Sequence, residues 1–192
     1  MSTNTAEPMK YSPGFCEGIQ YYGKPWADAD KYAATAVINE DQTAISRIDD
    51  TAIYQTLLGA DALRYVTLQL CGSKGSGHPG GFASSAEAHA SLMMLGHTNI
   101  VTEVGHHAPG FYASMFLDSS LEDMDIYTMD DMQQRFREKH GLLGHLSGAI
   151  PGLLSPAGPL GQGQHFAMAG AYLHRDKLFP VTIGDGGMGE PY

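Results

Sequence analysis

The sequence predicts an α/β fold in which a mostly parallel sheet is flanked by helices. Three observations carry that expectation. Apolar residues recur at helical spacing over residues 50–70, with Ile53, Leu57, Ala60, Leu63, Val66 and Leu70 near the 3.6-residue period. The segment 161–173 is rich in Gly, Ala and Met, which suits a helix lying close on a sheet. A short β-branched run, residues 179–183, leads directly into Gly184-Asp185-Gly186. A glycine-flanked loop at the carboxyl end of a buried strand is where open α/β sheets bind ligands.

Composition narrows the class. The chain has 192 residues, 43% apolar and 17% charged, which is enough apolar material for a packed core. Twenty-four glycines and ten prolines imply many tight loops around an ordered frame. Acidic residues outnumber basic ones 21 to 11, for a formal charge of −10. No basic stripe is available to neutralise phosphates, so the balance argues against a nucleic-acid or anionic-membrane surface. A bound diphosphate would instead need a cation and backbone N–H groups. Cys16 and Cys71 lack any C-x-x-C spacing and read as reduced thiols. Residues 1–10 contain no apolar signal core, and no apolar run approaches the ~20 residues of a membrane span. A cytoplasmic protein is the expectation.

Along the chain, residues 1–50 read as an N-terminal arm with aromatic anchors at Tyr11, Tyr21, Tyr22 and Trp26. Gly72 is the expected stop of the first helix. Ser84-Ser85-Ala86-Glu87 has capping-box spacing and predicts a second helix starting at Ser84 and ending near Gly96. Further helices are expected over 111–117, over 130–139 with Gly141 as the stop, and over 161–173. The strand 179–183 should belong to a parallel sheet that continues past Tyr192. Residues 51–192 are therefore expected to form a domain incomplete at its carboxyl end.

Three glycine-rich segments carry the chemistry: Gly75-Ser76-Gly77-His78-Pro79-Gly80-Gly81, Gly158-Pro159-Leu160-Gly161-Gln162-Gly163 and Gly184-Asp185-Gly186. Glycine lets a backbone approach a ligand closely. The carboxylate of Asp185, after a strand and between glycines, suits Mg²⁺ or Ca²⁺ shared with phosphate oxygens. The second segment enters a helix, whose amino end favours anions. His78 sits in a tight loop, and His107 and His145 lie near glycines. Histidine exchanges protons near neutrality and hydrogen-bonds hydroxylated ligands. His89, His97, His140, His165 and His174 lack such loop context and read as structural or solvated. No His-Glu-x-x-His or paired-cysteine spacing points to zinc.

In this order and spacing, the three segments resemble the motifs of the transketolase family, over roughly residues 50–192. The resemblance implies a thiamine diphosphate-binding fold. It makes Asp185 a ligand of the Mg²⁺ or Ca²⁺ on the cofactor diphosphate. Gly158 would meet the aminopyrimidine through its carbonyl, Leu160 would pack on the cofactor, and Gly161, Gly184 and Gly186 would line its loops. His78, His107 and His145 would orient sugar or sugar-phosphate oxygens and relay protons. Glu190 corresponds to a subunit-interface glutamate of the family. The implied reaction is two-carbon ketol transfer. The implied partners are a pyrimidine-binding domain or subunit, which supplies the cofactor-activating glutamate, and a second copy in a homodimer or a split-subunit assembly. Phosphoketolase-like chemistry, and a non-catalytic assembly subunit or truncated paralogue, remain alternatives at this point.

Overall fold

The computed structural model describes residues 50–97 and 100–190, so the expected arm lies outside the described residues up to position 49. The architecture is mixed and mostly helical, with a small two-stranded parallel sheet. It is compatible with the α/β class.

Helix α1, Asp50–Lys74, buries Leu58, Leu63, Val66 and Leu70 against the helices that follow. Each such side chain contributes about 1.5–3 kcal/mol on leaving water. Gly72 does not stop this helix. Its backbone continues helical, and Gly75, at φ +56°, ends the helix instead. Ser76 N–H donates to the Cys71 carbonyl at 3.0 Å and Gly75 N–H to the Gly72 carbonyl at 3.2 Å. This is a Schellman cap, which needs the left-handed conformation one residue past the last turn.

Helix α2, Pro79–Ala83, begins within the first glycine-rich segment, with Pro79 at its first position. Helix α3, Ala86–Met94, starts later than the expected Ser84. The capping box does not form. The Ser84 and Ser85 hydroxyls donate back to the Gly81 and Phe82 carbonyls at 2.8 and 3.0 Å. The Glu87 carboxylate is taken by Arg64 at 2.6 Å.

Strand β1, Val101–Thr102, was not foreseen. A 3₁₀ turn, Gly105–His107, leads from it into helix α4, Ala108–Leu117, which is buried on nearly every face. A second 3₁₀ turn spans Ser120–Met124. Helix α5, Met129–Arg135, carries a true capping box, with Asp131 N–H donating to Thr128 Oγ1 and Thr128 N–H to the Asp131 carboxylate. It is shorter than the expected 130–139. Leu142 N–H donates to the Arg135 carbonyl at 2.9 Å, and Arg137 adopts φ +60°, so the chain folds back before Lys139.

Helix α6, Gly163–Leu173, precedes strand β2, Val181–Thr182, and helix α7, Asp185–Met188. Strand β2 pairs in parallel with β1, in the register Val101↔Val181 and Thr102↔Thr182. The strand expected over 179–183 is therefore present in its central residues, and it is half-buried rather than buried. Helix α6 packs on both strands, and the absent side chain of Gly170 makes room for the Phe179 ring. Among the described residues, no helix is long and apolar enough to cross a membrane.

Candidate functional site

The residues after β1 form the hub on which all three glycine-rich segments meet. Thr102 Oγ1 accepts from Val104 N–H at 3.1 Å, and His107 N–H donates to the Val104 carbonyl at 2.9 Å, so the chain turns sharply at the strand's carboxyl end. That turn aims two adjacent imidazoles in different directions, with their ring planes at 90°.

His106 faces outward. Its ring centroid lies 5.7 Å from that of His78 and 5.0 Å from that of His107. The first glycine-rich segment closes on it, since Gly81 abuts the His106 ring. His145 arrives from the other side, its ring against Gly105, which also touches the backbone of Gly158. The loop bearing His145 is held by Tyr112 on α4, whose phenol donates to the Leu143 carbonyl at 2.7 Å. His78, His106 and His145 are exposed. Partial burial, together with His78 and His145 nearby, holds His106 below the usual histidine range.

His107 faces inward and is 8% exposed. It meets Phe82 edge-on at 5.9 Å, and Phe82 meets His89 at 5.4 Å. Burial, then the neighbouring His106, pushes His107 down to about 4, although a hydrogen bond with the Gly81 backbone opposes this. His89 is buried with Ser114 Oγ 3.1 Å from its Nε2, and burial lowers it to about 3.

The second and third glycine-rich segments meet on Glu103. Gly158 N–H donates to the Glu103 carbonyl at 3.2 Å, and Glu103 N–H donates to the Thr182 carbonyl at 3.4 Å. Gly163, the first residue of α6, lies so close to Glu103 that a Cβ would stand 3.0 Å from Glu103 Cβ. Gly187 lies directly against the Glu103 carboxylate, in space a Cβ would otherwise fill. Glu103 is 1% exposed, and neither carboxylate oxygen has a hydrogen-bond partner.

Of the residues singled out by sequence, His78, His145, Gly158, Gly161, Gly184, Asp185 and Gly186 lie on the segments that meet here, Asp185 and Gly186 at the start of α7. A Cβ at Gly184 would stand 3.7 Å from Val104 Cγ2, and Asp185 opens α7 with its side chain exposed. Leu160 is half-exposed on the second segment. His107 is the exception, because the exposed imidazole between His78 and His145 is that of His106. The residues proposed from the sequence include neither His106 nor Glu103. The signal for Glu103 was an acid inside the run Ile100-Val101-Thr102-Glu103-Val104, which otherwise reads as a strand.

The donor set fits an anionic ligand that brings a cation. Glycine backbones and the amino end of α6 suit a diphosphate. Asp185 and the orphaned Glu103 would repel a bare one. Among the described residues, no three His, Cys, Asp or Glu side chains gather into a metal cage. A metal here would complete its shell from phosphate and water, as Mg²⁺ commonly does. A separate cavity of about 350 Å³ is lined by His89, Phe111, Ser114, Asp118 and Leu153 among others, and none of the residues of the three glycine-rich segments lines it. No family model, no curated protein and no solved structure matches the chain.

Proposed function

We propose that this chain carries the diphosphate-binding part of a transketolase-like, thiamine diphosphate-dependent enzyme that transfers a two-carbon ketol unit between sugars. The observation that supports the reading is the meeting of three distant glycine-rich segments around Glu103–His107, at the carboxyl ends of two parallel strands. Ligand sites of α/β sheets lie at such ends.

In this reading Asp185 holds Mg²⁺ or Ca²⁺, and the glycine backbones of 158–163 and 184–187 receive the diphosphate. Gly158 presents its carbonyl, and Leu160 offers an apolar contact. Thiamine diphosphate supplies the carbon nucleophile and electron sink that carbon–carbon cleavage requires. His78, His106 and His145 orient the hydroxyls of a sugar or sugar-phosphate and move protons on its oxygens. His107 sets the position of His106 from behind. A pyrimidine-binding domain or subunit completes the site, in a homodimer or a split assembly in the cytoplasm.

The test is calorimetric titration of the chain with thiamine diphosphate at several Mg²⁺ concentrations. Product analysis follows with the pyrimidine-binding partner present. Mg²⁺-dependent binding and ketol transfer to an aldose are expected. Absence of cofactor binding at millimolar concentration overturns the reading. An acyl phosphate formed from inorganic phosphate moves it to phosphoketolase-like chemistry.

A further inference from the structure

We propose that Glu103 is the inner carboxylate of a divalent-cation site whose outer carboxylate is Asp185. The proposal adds a ligand to the site described above and rests on that reading only for the identity of the ligand that closes the cation's shell.

Glu103 is buried to 1% exposure, and both of its carboxylate oxygens lack a hydrogen-bond partner. Among the described residues, no Lys, Arg or His forms an ion pair with it. A carboxylate removed from water without compensation costs several kcal/mol. Proteins keep such groups where something else supplies the opposite charge.

The surroundings indicate what supplies it. Val101 and Thr102 pair in register with Val181 and Thr182, so Glu103 and the Gly184–Gly187 loop leave the sheet side by side. Helix α7 lies on the carboxylate at Gly187, two residues after Asp185. Glu103, buried after β1, and Asp185, exposed at the start of α7, thus flank the same junction. The intervening Gly186 has open space where a side chain would stand, which leaves an approach from solvent. The available ligands are carboxylate and carbonyl oxygens, a hard donor set that selects Mg²⁺, Ca²⁺ or Mn²⁺ over thiolate- and imidazole-seeking metals. A phosphate alone would meet two like charges. A divalent cation satisfies both.

The experiment uses the full chain with Mn²⁺ as the probe and no thiamine diphosphate. Free Mn²⁺ is counted by electron paramagnetic resonance, and amide broadening is mapped by NMR. One Mn²⁺ site is expected, with broadening centred on residues 102–104 and 184–188. Glu103→Gln and Asp185→Asn should each weaken it at least about tenfold, the scale of losing one charged contact. Broadening elsewhere in the wild type, or Mn²⁺ affinity unchanged in a folded Glu103→Gln chain, overturns the proposal. If Glu103→Gln does not fold, the wild-type broadening map and Asp185→Asn decide. Adding thiamine diphosphate separates the two readings. Mn²⁺ bound at Glu103 but not tightened by the cofactor keeps the cation site and sinks the cofactor reading. Mg²⁺-dependent cofactor binding that survives Glu103→Gln unchanged sinks Glu103 and keeps the cofactor reading.

Discussion

Gly158 N–H donates to the carbonyl of Glu103 across 3.2 Å, and this bond joins the second glycine-rich segment to the end of strand β1. The same residue takes the third segment against its side chain at Gly187. Two segments far apart in the chain are therefore positioned by one residue. The first segment is indexed three residues further on, where Gly81 meets His106.

Gly187→Ala and Gly186→Ala differ by one position and should differ sharply in effect. A methyl at 187 would occupy the place of the Glu103 carboxylate, whereas a methyl at 186 would enter open space. Overpacking of this kind costs about 1–3 kcal/mol. Thermal unfolding should show a clear drop for Gly187→Ala and little change for Gly186→Ala. Equal melting temperatures would refute the packing of this loop on Glu103.

His106 and His107 are neighbours with opposite surroundings, and their alanine variants should part accordingly. His106 is exposed between His78 and His145, so on the proposed function its loss should lower turnover by ~100-fold or more, the scale of a lost proton-transfer group. The melting temperature should hardly move. His107 is buried against Phe82, so its loss should lower stability first. Kinetics at a temperature where both variants remain folded, alongside melting curves, separates the two. Normal turnover in His106→Ala would remove it from the site.

Helix α1 was legible because its apolar spacing records burial, whereas α4 is buried on nearly every face and carries no such spacing. Helix ends were less legible, because they depend on tertiary competition. Gly72 looks like a stop, yet the cap forms at Gly75. Ser84 and Glu87 have capping spacing, yet Arg64 claims the carboxylate. Strand β1 is two residues long, in a β-branched run that Glu103 interrupts. The glycine-rich segments announced themselves by composition. The meeting of the second and third on Glu103 did not, because a buried acid is identified by what surrounds it. The choice between His106 and His107 rests on the direction of one 3₁₀ turn, which residue identity does not encode.

Acid should destabilise the fold before its carboxylates titrate. His89 and His107 are neutral inside, lowered to about 3 and about 4 mainly by burial. Unfolding returns both to the ordinary histidine range near 6.5. Between those limits the unfolded chain binds more protons than the folded one, so stability rises with pH. The contribution is full above about pH 6.5 and is lost progressively as pH falls through the folded values. Melting temperature should therefore decline from pH 7 to pH 5. His89→Gln, which keeps a polar contact for Ser114 without a titrating ring, should flatten part of that slope. A flat wild-type profile over this range would contradict the burial of both rings.

Asp185→Ala and His78→Ala test opposite ends of the proposed site in the complete assembly. Asp185 is exposed at the start of α7, on the loop that touches Glu103, so its removal should leave the fold intact and weaken the cation. In a chain of net charge −10 a bound diphosphate would need such a cation beside it. Losing one ligating charge costs a few kcal/mol, or roughly a hundredfold in Mg²⁺-dependent cofactor affinity. His78 touches the His106 ring rather than the Gly184–Gly187 loop, so His78→Ala should lower turnover and leave cofactor affinity unchanged. Cofactor titration at several Mg²⁺ concentrations, paired with steady-state kinetics, reads both effects. Cofactor affinity and Mg²⁺ dependence that are identical in wild type and a folded Asp185→Ala chain would reject Asp185 as a ligand. That result would also leave the glycine-rich segments without a cation to answer the diphosphate.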